Sequence, residues 1–148
     1  MSISVLAPVD GTVVSLGSVP DPVFAGQIVG AGVAIDPDRS AATVVAPADG
    51  RLLKLHPHAF VLLTPGGVGL LVHLGIDTVQ LDGEGFELLV EEGVEVVAGT
   101  PVVRWDPAAV EAGGRSPVVP VVVMDSAPDS VVASAAGRVV VGDLLFTI

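Results

Sequence analysis

The segment APVDGTV, residues 7–13, recurs 39 residues later as APADGRL, residues 46–52. In each copy the Pro and the Asp-Gly pair are typical of a turn, because Pro presets φ and Gly tolerates positive φ. An alternating strand pattern begins directly after each turn. Two copies are too few for a solenoid. We therefore expect two similar β motifs that face each other in one antiparallel β-sandwich or barrel.

The rest of the chain continues the strand pattern. Valine is about one residue in five, which favours pleated, half-buried strands over helices. Two segments predict short helices: residues 87–92, closed by Gly93, and residues 108–112, closed by Gly113. No linker or change of composition divides the chain. We expect an all-β fold with short helical turns, in a single domain over residues 1–148.

The charge balance narrows the choice of partners. Six basic residues against seventeen acidic ones give a formal net charge of −11, and cysteine is absent. Such a surface disfavours nucleic acid and anionic membranes as partners, and it is complementary to a basic protein. Residues 1–5 lack a basic and apolar leader, and no apolar run approaches the ~20 residues of a spanning helix. We therefore expect a cytoplasmic protein without membrane insertion.

The histidines of the chain are clustered. All three lie within eighteen residues of one another: His56, His58 and His73. His73 ends the apolar run in GVGLLVHLGIDTV, residues 67–79, and this glycine-bounded run predicts a buried strand. The end of a strand on a rigid scaffold presents an imidazole to a partner. The cluster is therefore the candidate functional site.

Two imidazoles near a carboxylate are compatible with metal ligation, general base catalysis or histidine phosphorylation. The lone pair of a neutral imidazole can bind a metal or attack phosphorus, while its other nitrogen needs a hydrogen-bond partner that fixes the tautomer. A neighbouring imidazole can donate to a phosphoryl oxygen and stabilise its charge. Phosphoryl exchange between two proteins requires little beyond this positioning.

The segment VPDPVF, residues 19–24, is a candidate docking rim. Its two prolines stiffen the backbone, and we expect Phe24 to lie at the surface. A partner whose own phosphorylated residue approaches the histidines would contact this rim.

These residues together resemble the glucose-type IIA proteins of the bacterial phosphoenolpyruvate-dependent sugar phosphotransferase system. The resemblance extends over essentially the whole chain, and its most specific part is the His73 motif with His58 upstream. The matching segments, in order, are APVDG (7–11), VPDPVFA (19–25), IVGAG (28–32), APADG (46–50), HAF (58–60), VHLGIDTV (72–79), LDGEGF (81–86) and EEG (91–93).

The resemblance implies an antiparallel β-sandwich of the duplicated hybrid motif type and a transient phosphohistidine on Nε2 of His73. It also implies that His58 lies beside His73 and supports the phosphoryl group. The donor would be the phosphocarrier protein HPr, and the acceptor would be a cysteine of a IIB domain. The chain would then act as a phosphotransferase component in sugar uptake.

The resemblance further implies a partner-binding surface around the histidines. Asp21 and Asp77 match acidic positions that face the basic surface of HPr, which suits the net charge of −11. The apolar positions of this surface are Phe24, Val29 and Val79.

Two features depart from the family pattern. A threonine that hydrogen-bonds to the first histidine is usual two residues before it, whereas here His56 takes that place and the preceding loop is shorter. We expect His56 to be exposed to solvent, the alternative being that it accepts a hydrogen bond from His58. The second departure is that only six residues precede the first Ala-Pro motif.

Other functions fit parts of the sequence. A zinc metallopeptidase of the lysostaphin type would use an H-x-H pair, His56 and His58, with an H-x-x-x-D pair, His73 and Asp77; that family has the two motifs in the opposite order. A biotinyl or lipoyl carrier would need a lysine at a hairpin tip, and the one lysine, Lys54, is predicted within a strand. A regulatory IIA-like protein that never passes phosphate onward is a third alternative.

The phosphocarrier interpretation requires no cofactor. Two adjacent imidazoles, His58 and His73, nevertheless offer half of a tetrahedral Zn²⁺ site. We expect weak, optional zinc binding, completed by a partner and competing with phosphorylation because both use the same lone pairs.

Overall fold

The computed structural model describes residues 2–148, which form thirteen strands and two short helices. The strands are β1 (Ser4–Leu6), β2 (Gly11–Val14), β3 (Gly30–Pro37), β4 (Ala42–Val45), β5 (Gly50–His56), β6 (Ala59–Leu63), β7 (Gly69–His73), β8 (Glu87–Leu88), β9 (Glu95–Val96), β10 (Pro101–Trp105), β11 (Val119–Met124), β12 (Gly137–Val139) and β13 (Leu144–Thr147). The helices are α1 (Pro22–Ala25) and α2 (Pro107–Ala112), and single 3₁₀ turns lie at Leu16–Ser18 and Thr78–Leu81. The predicted all-β class is confirmed.

An eight-stranded antiparallel sheet forms the largest layer, in the order β12-β2-β3-β11-β7-β6-β5-β9. A three-stranded sheet, β4-β10-β8, and the pair β1-β13 complete the described strands. Within the large sheet, β7 pairs with β6 along one edge and with β11 along the other. Because β7 is hydrogen-bonded on both sides, its end is a fixed platform for a side chain.

The two turn motifs of the sequence have equivalent structures. The carboxylates of Asp10 and Asp49 each accept a hydrogen bond from a backbone N–H of a distant segment, at 2.7 and 2.8 Å. Gly11 and Gly50 then begin β2 and β5. A side chain at either glycine would collide with the backbone of the adjacent strand. The predicted pair of similar β motifs is therefore confirmed.

The apolar core has two parts, which lie on opposite faces of the large sheet. The larger cluster includes Val33 and Ile35, whereas Ala34 between them belongs to the smaller cluster. Successive side chains of a strand point to opposite faces, so the clusters are separated by the sheet. On β7, Val72 belongs to the larger cluster, which places its neighbour His73 on the face of the smaller one.

One of the two predicted helices is confirmed and the other is wrong. Residues 108–112 lie within α2, whose N-cap Asp106 accepts hydrogen bonds from two backbone N–H groups of the first turn. Residues 87–92 do not form a helix. Glu87 and Leu88 instead form β8 against β10, and the Glu92 carboxylate accepts a hydrogen bond from the N–H of Leu55. These long-range pairings outweigh the local helix signal.

The two ends of the fold lie side by side. Ile3 and Ile148 exchange two backbone hydrogen bonds of 2.7 and 2.9 Å, and β1 pairs with β13. Among residues 2–148, no helix has the length and apolar character needed to cross a membrane.

Candidate functional site

His73 is the last residue of β7. The chain then leaves the sheet in a turn at Gly75. Its Nδ1 lies 2.6 Å from the carbonyl oxygen of Gly75. A carbonyl only accepts, so Nδ1 carries the hydrogen and donates it. In the neutral ring this leaves the lone pair on Nε2. The backbone two residues after His73 therefore fixes both the tautomer and the orientation of the imidazole.

The backbone conformation and the close neighbours of Gly75 require a glycine at this position. Its φ is +80°, a left-handed conformation that disfavours residues with a side chain. Its N–H donates to the carbonyl of Val118 at 3.0 Å. A Cβ at this position would lie 2.7 Å from Cγ2 of Thr78 and 3.0 Å from the carbonyl oxygen of Ser116. Only glycine fits the turn that presents its carbonyl to His73.

We expect Gly75→Ala to destabilise the fold by about 2 kcal/mol more than Gly67→Ala. Both glycines have positive φ, so both substitutions incur the left-handed strain of ~1–2 kcal/mol. Only Gly75 is also crowded, whereas a Cβ at Gly67 meets nothing within 4 Å, and overpacking adds ~1–3 kcal/mol. Chemical denaturation of the two variants measures the difference. Equal losses would show that the Gly75 turn is not sterically closed.

His58 lies in the tight turn between β5 and β6, next to the end of β7. Ala59 pairs with His73 across β6 and β7, and the N–H of Leu74 donates to the carbonyl oxygen of His58 at 2.7 Å. The rings of His58 and His73 are 5.3 Å apart between centroids, with an interplanar angle of 73°. Backbone pairing of β6 with β7 and the hydrogen bond from Leu74 to His58 therefore bring the two imidazoles together, as the family resemblance implies.

Phe24 is buried rather than exposed, so its expected placement at the surface is wrong. It is 7% exposed, belongs to the smaller apolar cluster, and its ring centroid lies 5.1 Å from that of His73. The cause is local. Asp21 caps α1 by accepting from the N–H groups of Val23 and Phe24, and Pro22 is the first helical residue. This single turn directs Phe24 inward, where it packs against His73.

His56 is exposed, as expected from the sequence. Its ring stacks on that of His58, with centroids 5.9 Å apart and an interplanar angle of 24°. The sequence did not indicate this stacking. The three imidazoles thus form a continuous row that ends at Phe24.

The acidic and apolar residues predicted to bind partners differ in exposure. Asp77 is exposed and adopts a left-handed conformation with φ +60°, and Val79 is 61% exposed. Val29 is half-buried against the smaller apolar cluster. Sequence reasoning missed Ile28, which is 74% exposed and follows the α1 turn. The available signal in the sequence was an apolar residue directly after the polar Gln27 and before Val29.

Burial lowers the pKa of His73 below its usual 6.5, although the Gly75 carbonyl, Asp21 and Asp77 act in the opposite direction. The pKa of His58 is also lowered, first by burial and then by His73 and His56. Both rings are therefore neutral at pH 7. A neutral ring is the form whose nitrogen has a free lone pair.

The lowered pKa of His73 predicts a loss of stability in mild acid. Unfolded histidine binds a proton near pH 6.5, whereas folded His73 does so only at lower pH. The unfolded state binds more protons in that window, so the free energy of unfolding falls as the pH drops from 6.5 through the folded pKa. Denaturation at a series of pH values should show this fall, and His73→Gln should reduce it to the smaller part that His58 contributes. His56→Gln, at an exposed position, should leave it in place.

The histidines do not assemble a complete metal site. Among the residues that the structure describes, no group of three or more His, Asp and Glu is placed to hold a metal ion. The metallopeptidase alternative requires His56, His58, His73 and Asp77 as a set, and it has no support in this geometry.

On this antiparallel β scaffold, a neutral imidazole with its lone pair on Nε2 lies beside a second imidazole, and such a nitrogen is able to accept a transferred group. The model of the family "phosphoenolpyruvate-dependent sugar phosphotransferase system, EIIA 1" matches residues 3–128. The chain belongs to this family, whose EIIA components are phosphoryl carriers in sugar transport.

Individual relatives agree with the family match. The glucose-specific EIIA component of Staphylococcus epidermidis is 39% identical over 127 residues, which cover 84% of this chain and 75% of the relative. The N-acetylglucosamine-specific EIICBA component of Klebsiella pneumoniae is 45% identical over 142 residues, which cover 94% of this chain and 22% of the relative. The chain thus spans about a fifth of the length of that relative.

A solved structure supports the same fold. The glucose permease IIA from Mycoplasma capricolum superposes with a TM-score of 0.90 at 36% sequence identity, covering 99% of this chain and 96% of that one.

Proposed function

We propose that the chain accepts a phosphoryl group from phosphorylated HPr on Nε2 of His73 and passes it to a cysteine of a IIB domain, as a cytoplasmic step of sugar uptake. The observation that carries the proposal is the Nδ1–H···O=C bond to Gly75, which leaves the Nε2 lone pair free in a ring that is neutral at pH 7. The relatives' names specify glucose and N-acetylglucosamine, and we propose a sugar of this class.

The transfer consists of two in-line displacements. In the first, the Nε2 lone pair of His73 forms a P–N bond while the P–N bond of the donor phosphohistidine breaks and returns its electron pair to the donor ring. In the second, a thiolate of the IIB domain attacks phosphorus and His73 leaves as the neutral imidazole. The hydrogen stays on Nδ1 and remains hydrogen-bonded to the Gly75 carbonyl oxygen throughout, so the ring needs no reorientation.

His58 would stabilise the charge of the transferring group. Its ring is in edge contact with that of His73, at 5.3 Å between centroids and an interplanar angle of 73°, so a phosphoryl group on His73 would lie next to His58. A donor N–H already in place costs no reorganisation during transfer. A zinc ion at the same two nitrogens would need further ligands from a partner, and it would compete with the phosphoryl group.

The proposal is tested by incubating the protein with phosphoenolpyruvate, enzyme I and HPr. We expect one acid-labile phosphate per chain, located on His73 by peptide mapping. Labelling at His58 instead of His73 would contradict the assignment of their roles.

Docking of HPr would use exposed residues around the site, and its charged and apolar parts should respond differently to salt. Asp21→Asn keeps the helix cap, since Asn caps as well as Asp, and should slow transfer most at low ionic strength. Ile28→Ser removes an exposed apolar contact and should weaken the complex by about 1–2 kcal/mol at every salt concentration. Transfer kinetics from phosphorylated HPr across a salt series measure both effects.

Glu95→Gln is the matched charge control for the docking test. Glu95 is exposed on β9 and pairs with Arg51 near the start of β5, at the end of that strand opposite His56. Its substitution should leave the salt dependence unchanged. If Glu95→Gln slowed transfer as much as Asp21→Asn, net charge rather than this surface would guide the encounter.

A further inference from the structure

Helix α1 carries Phe24 against His73, but it is too short to hold that position alone. It has four residues, and so short a helix has little stability of its own in water. Through Ala25 it also borders an open cavity of about 490 Å³, which is lined by residues of β2, of β3 and of the segment 129–137. The cavity leaves that side of the helix without close packing, so the position of α1 depends on specific hydrogen bonds.

Gln27 links this helix to a distant part of the chain. Its backbone N–H donates to the carbonyl oxygen of Phe24 at 3.0 Å. Its side-chain amide exchanges two hydrogen bonds with Asp129: Nε2 donates to the carboxylate at 2.9 Å, and the backbone N–H of Asp129 donates to Oε1 at 2.7 Å. One residue thus binds both the backbone of Phe24 and a residue 102 positions further along the chain.

Both members of this pair have a left-handed backbone. The φ angle is +56° at Gln27 and +62° at Asp129, a conformation that costs free energy for a residue with a side chain. Such residues persist where neighbouring contacts hold them, and they are concentrated at functional sites. The two reciprocal hydrogen bonds are contacts of this kind.

Asp129 belongs to the irregular connection between β11 and β12, and this connection is attached to the large sheet. The N–H of Asp125 donates to the carbonyl oxygen of Val29 at 3.1 Å. The hydroxyl of Ser126 accepts from the N–H of Ala31, in β3, at 2.8 Å. Asp129 follows these attachments by three residues, so it is a fixed point from which Gln27 can be held.

We propose that Gln27 and Asp129 are positioning residues for phosphoryl transfer. Their hydrogen bonds hold α1, and α1 places the ring of Phe24 at 5.1 Å from that of His73 between centroids. The hydrogen bond to the Gly75 carbonyl fixes one edge of the imidazole, and the contact with Phe24 limits rotation of the ring about that bond. This inference rests on the proposed function of His73, because the alignment of Nε2 with the attacked phosphorus depends on the ring orientation.

An exchange of charge within the pair tests this link. Gln27→Glu removes the amide donor and places a second carboxylate beside that of Asp129, which repels it. Asp129→Asn, added to Gln27→Glu, supplies a side-chain donor to the new carboxylate and retains the backbone N–H of residue 129. The double variant has the net charge of the wild type. The single variant adds a negative charge, which by itself favours encounter with a basic partner, so slower transfer in it is not a steering effect.

The ion pair of Arg138 with Asp38 supplies a matched control. It is exposed and consists of two side-chain hydrogen bonds, at 2.8 and 2.7 Å, between residues 100 positions apart. Asp38 follows β3 at the end of the strand opposite Gly30, whereas α1 precedes Gly30. Asp38→Asn therefore disrupts a comparable long-range pair at the far end of the same strand.

The ring resonances of His73 report on the position of Phe24, because a neighbouring aromatic ring shifts them. In the unphosphorylated protein we expect Gln27→Glu to move these resonances, the double variant to restore them, and Asp38→Asn to leave them unchanged. Asp129→Gly, which removes the carboxylate but suits the left-handed backbone, should move them as Gln27→Glu does. Circular dichroism confirms that each variant is folded.

Transfer kinetics from phosphorylated HPr provide the functional measurement. For Gln27→Glu, the single-turnover rate at saturating HPr should fall about tenfold, since misplacement of a reacting group lowers the rate of the transfer step. The HPr concentration that gives half of the maximal rate should stay within about twofold of wild type, because the docking surface is retained. The double variant should recover the rate.

Two results would overturn the proposal: His73 resonances that do not move in Gln27→Glu, or a shift that the added Asp129→Asn does not reverse. A higher half-saturating HPr concentration with unchanged His73 resonances would place Gln27 in docking and would overturn it as well. The resonance measurement requires no phosphoryl donor. Absence of labelling on His73 in the wild type would therefore contradict the proposed function, whereas labelling without the resonance shift in Gln27→Glu would contradict this inference alone.

Discussion

His73→Ala is expected to reduce phosphate incorporation from phosphoenolpyruvate, enzyme I and HPr to background. The Nε2 lone pair of His73 is the nucleophile, and neither neighbour can replace it: His58 lies edge-on to the site and His56 is stacked outside it. The measurement is acid-labile phosphate per chain, read by radiolabelling and intact mass. His56→Ala is the matched control, because it removes an exposed imidazole of the same row, and it should retain labelling.

The His73 experiment distinguishes loss of the nucleophile from loss of the fold. His73→Gln keeps a side chain of similar length beside Phe24 and should fold with the wild-type circular dichroism spectrum while remaining unlabelled. Undiminished labelling of a folded His73 variant would contradict the assignment of His73 as the phosphorylated residue.

The second large effect is expected for His58→Gln. This variant should still accept phosphate from HPr, because the nucleophile and its Gly75 contact are intact, but it should transfer the group to IIB ~10²–10³-fold more slowly. That is the usual magnitude when one preorganised donor to a developing anionic charge is removed. Rapid-quench measurement of transfer from the phosphorylated protein to IIB gives the rate of this step alone.

His56→Gln is the comparison for His58→Gln. It leaves the His58–His73 pair in contact and removes only the outer ring, so its transfer rate should stay within about threefold of wild type. If His58→Gln passed phosphate to IIB at the wild-type rate, His58 would have no part in stabilising the transferring group.

Much of the site was predictable because its determinants are local. The apolar run before His73 predicts a strand end, and the repeated Asp-Gly turns predict two equivalent β motifs. The hydrogen bond from His73 Nδ1 to the Gly75 carbonyl joins residues two positions apart, so it depends on the local His-x-Gly spacing. Composition alone indicates an acidic surface that suits a basic partner.

The failures of sequence reasoning arise where long-range contacts decide the structure. Phe24 follows two prolines, which favours a surface position, but the Asp21 cap turns it toward a cluster that includes Ile76 and Val122 from distant parts of the chain. Residues 87–92 have helical composition, but pairing of β8 with β10 outweighs it. Stacking of His56 on His58 depends on the shape of the β5–β6 turn, which leaves no signal in the order of residues.

The hydrogen-bonded pair of Ile3 and Ile148 has an architectural consequence. A longer polypeptide that contains this fold would enter and leave it at the same edge. The fold can therefore be inserted into a loop of a host protein, because the connecting segments need not cross it. The same closeness makes circular permutation practicable. A peptide of a few residues could join the two ends, and a new opening at the exposed Gly113–Gly114 turn would leave both histidine hairpins continuous. In such a rearranged chain the imidazoles would retain their local partners, because the hydrogen bonds from Leu74 to His58 and from His73 to Gly75 lie within residues 58–75.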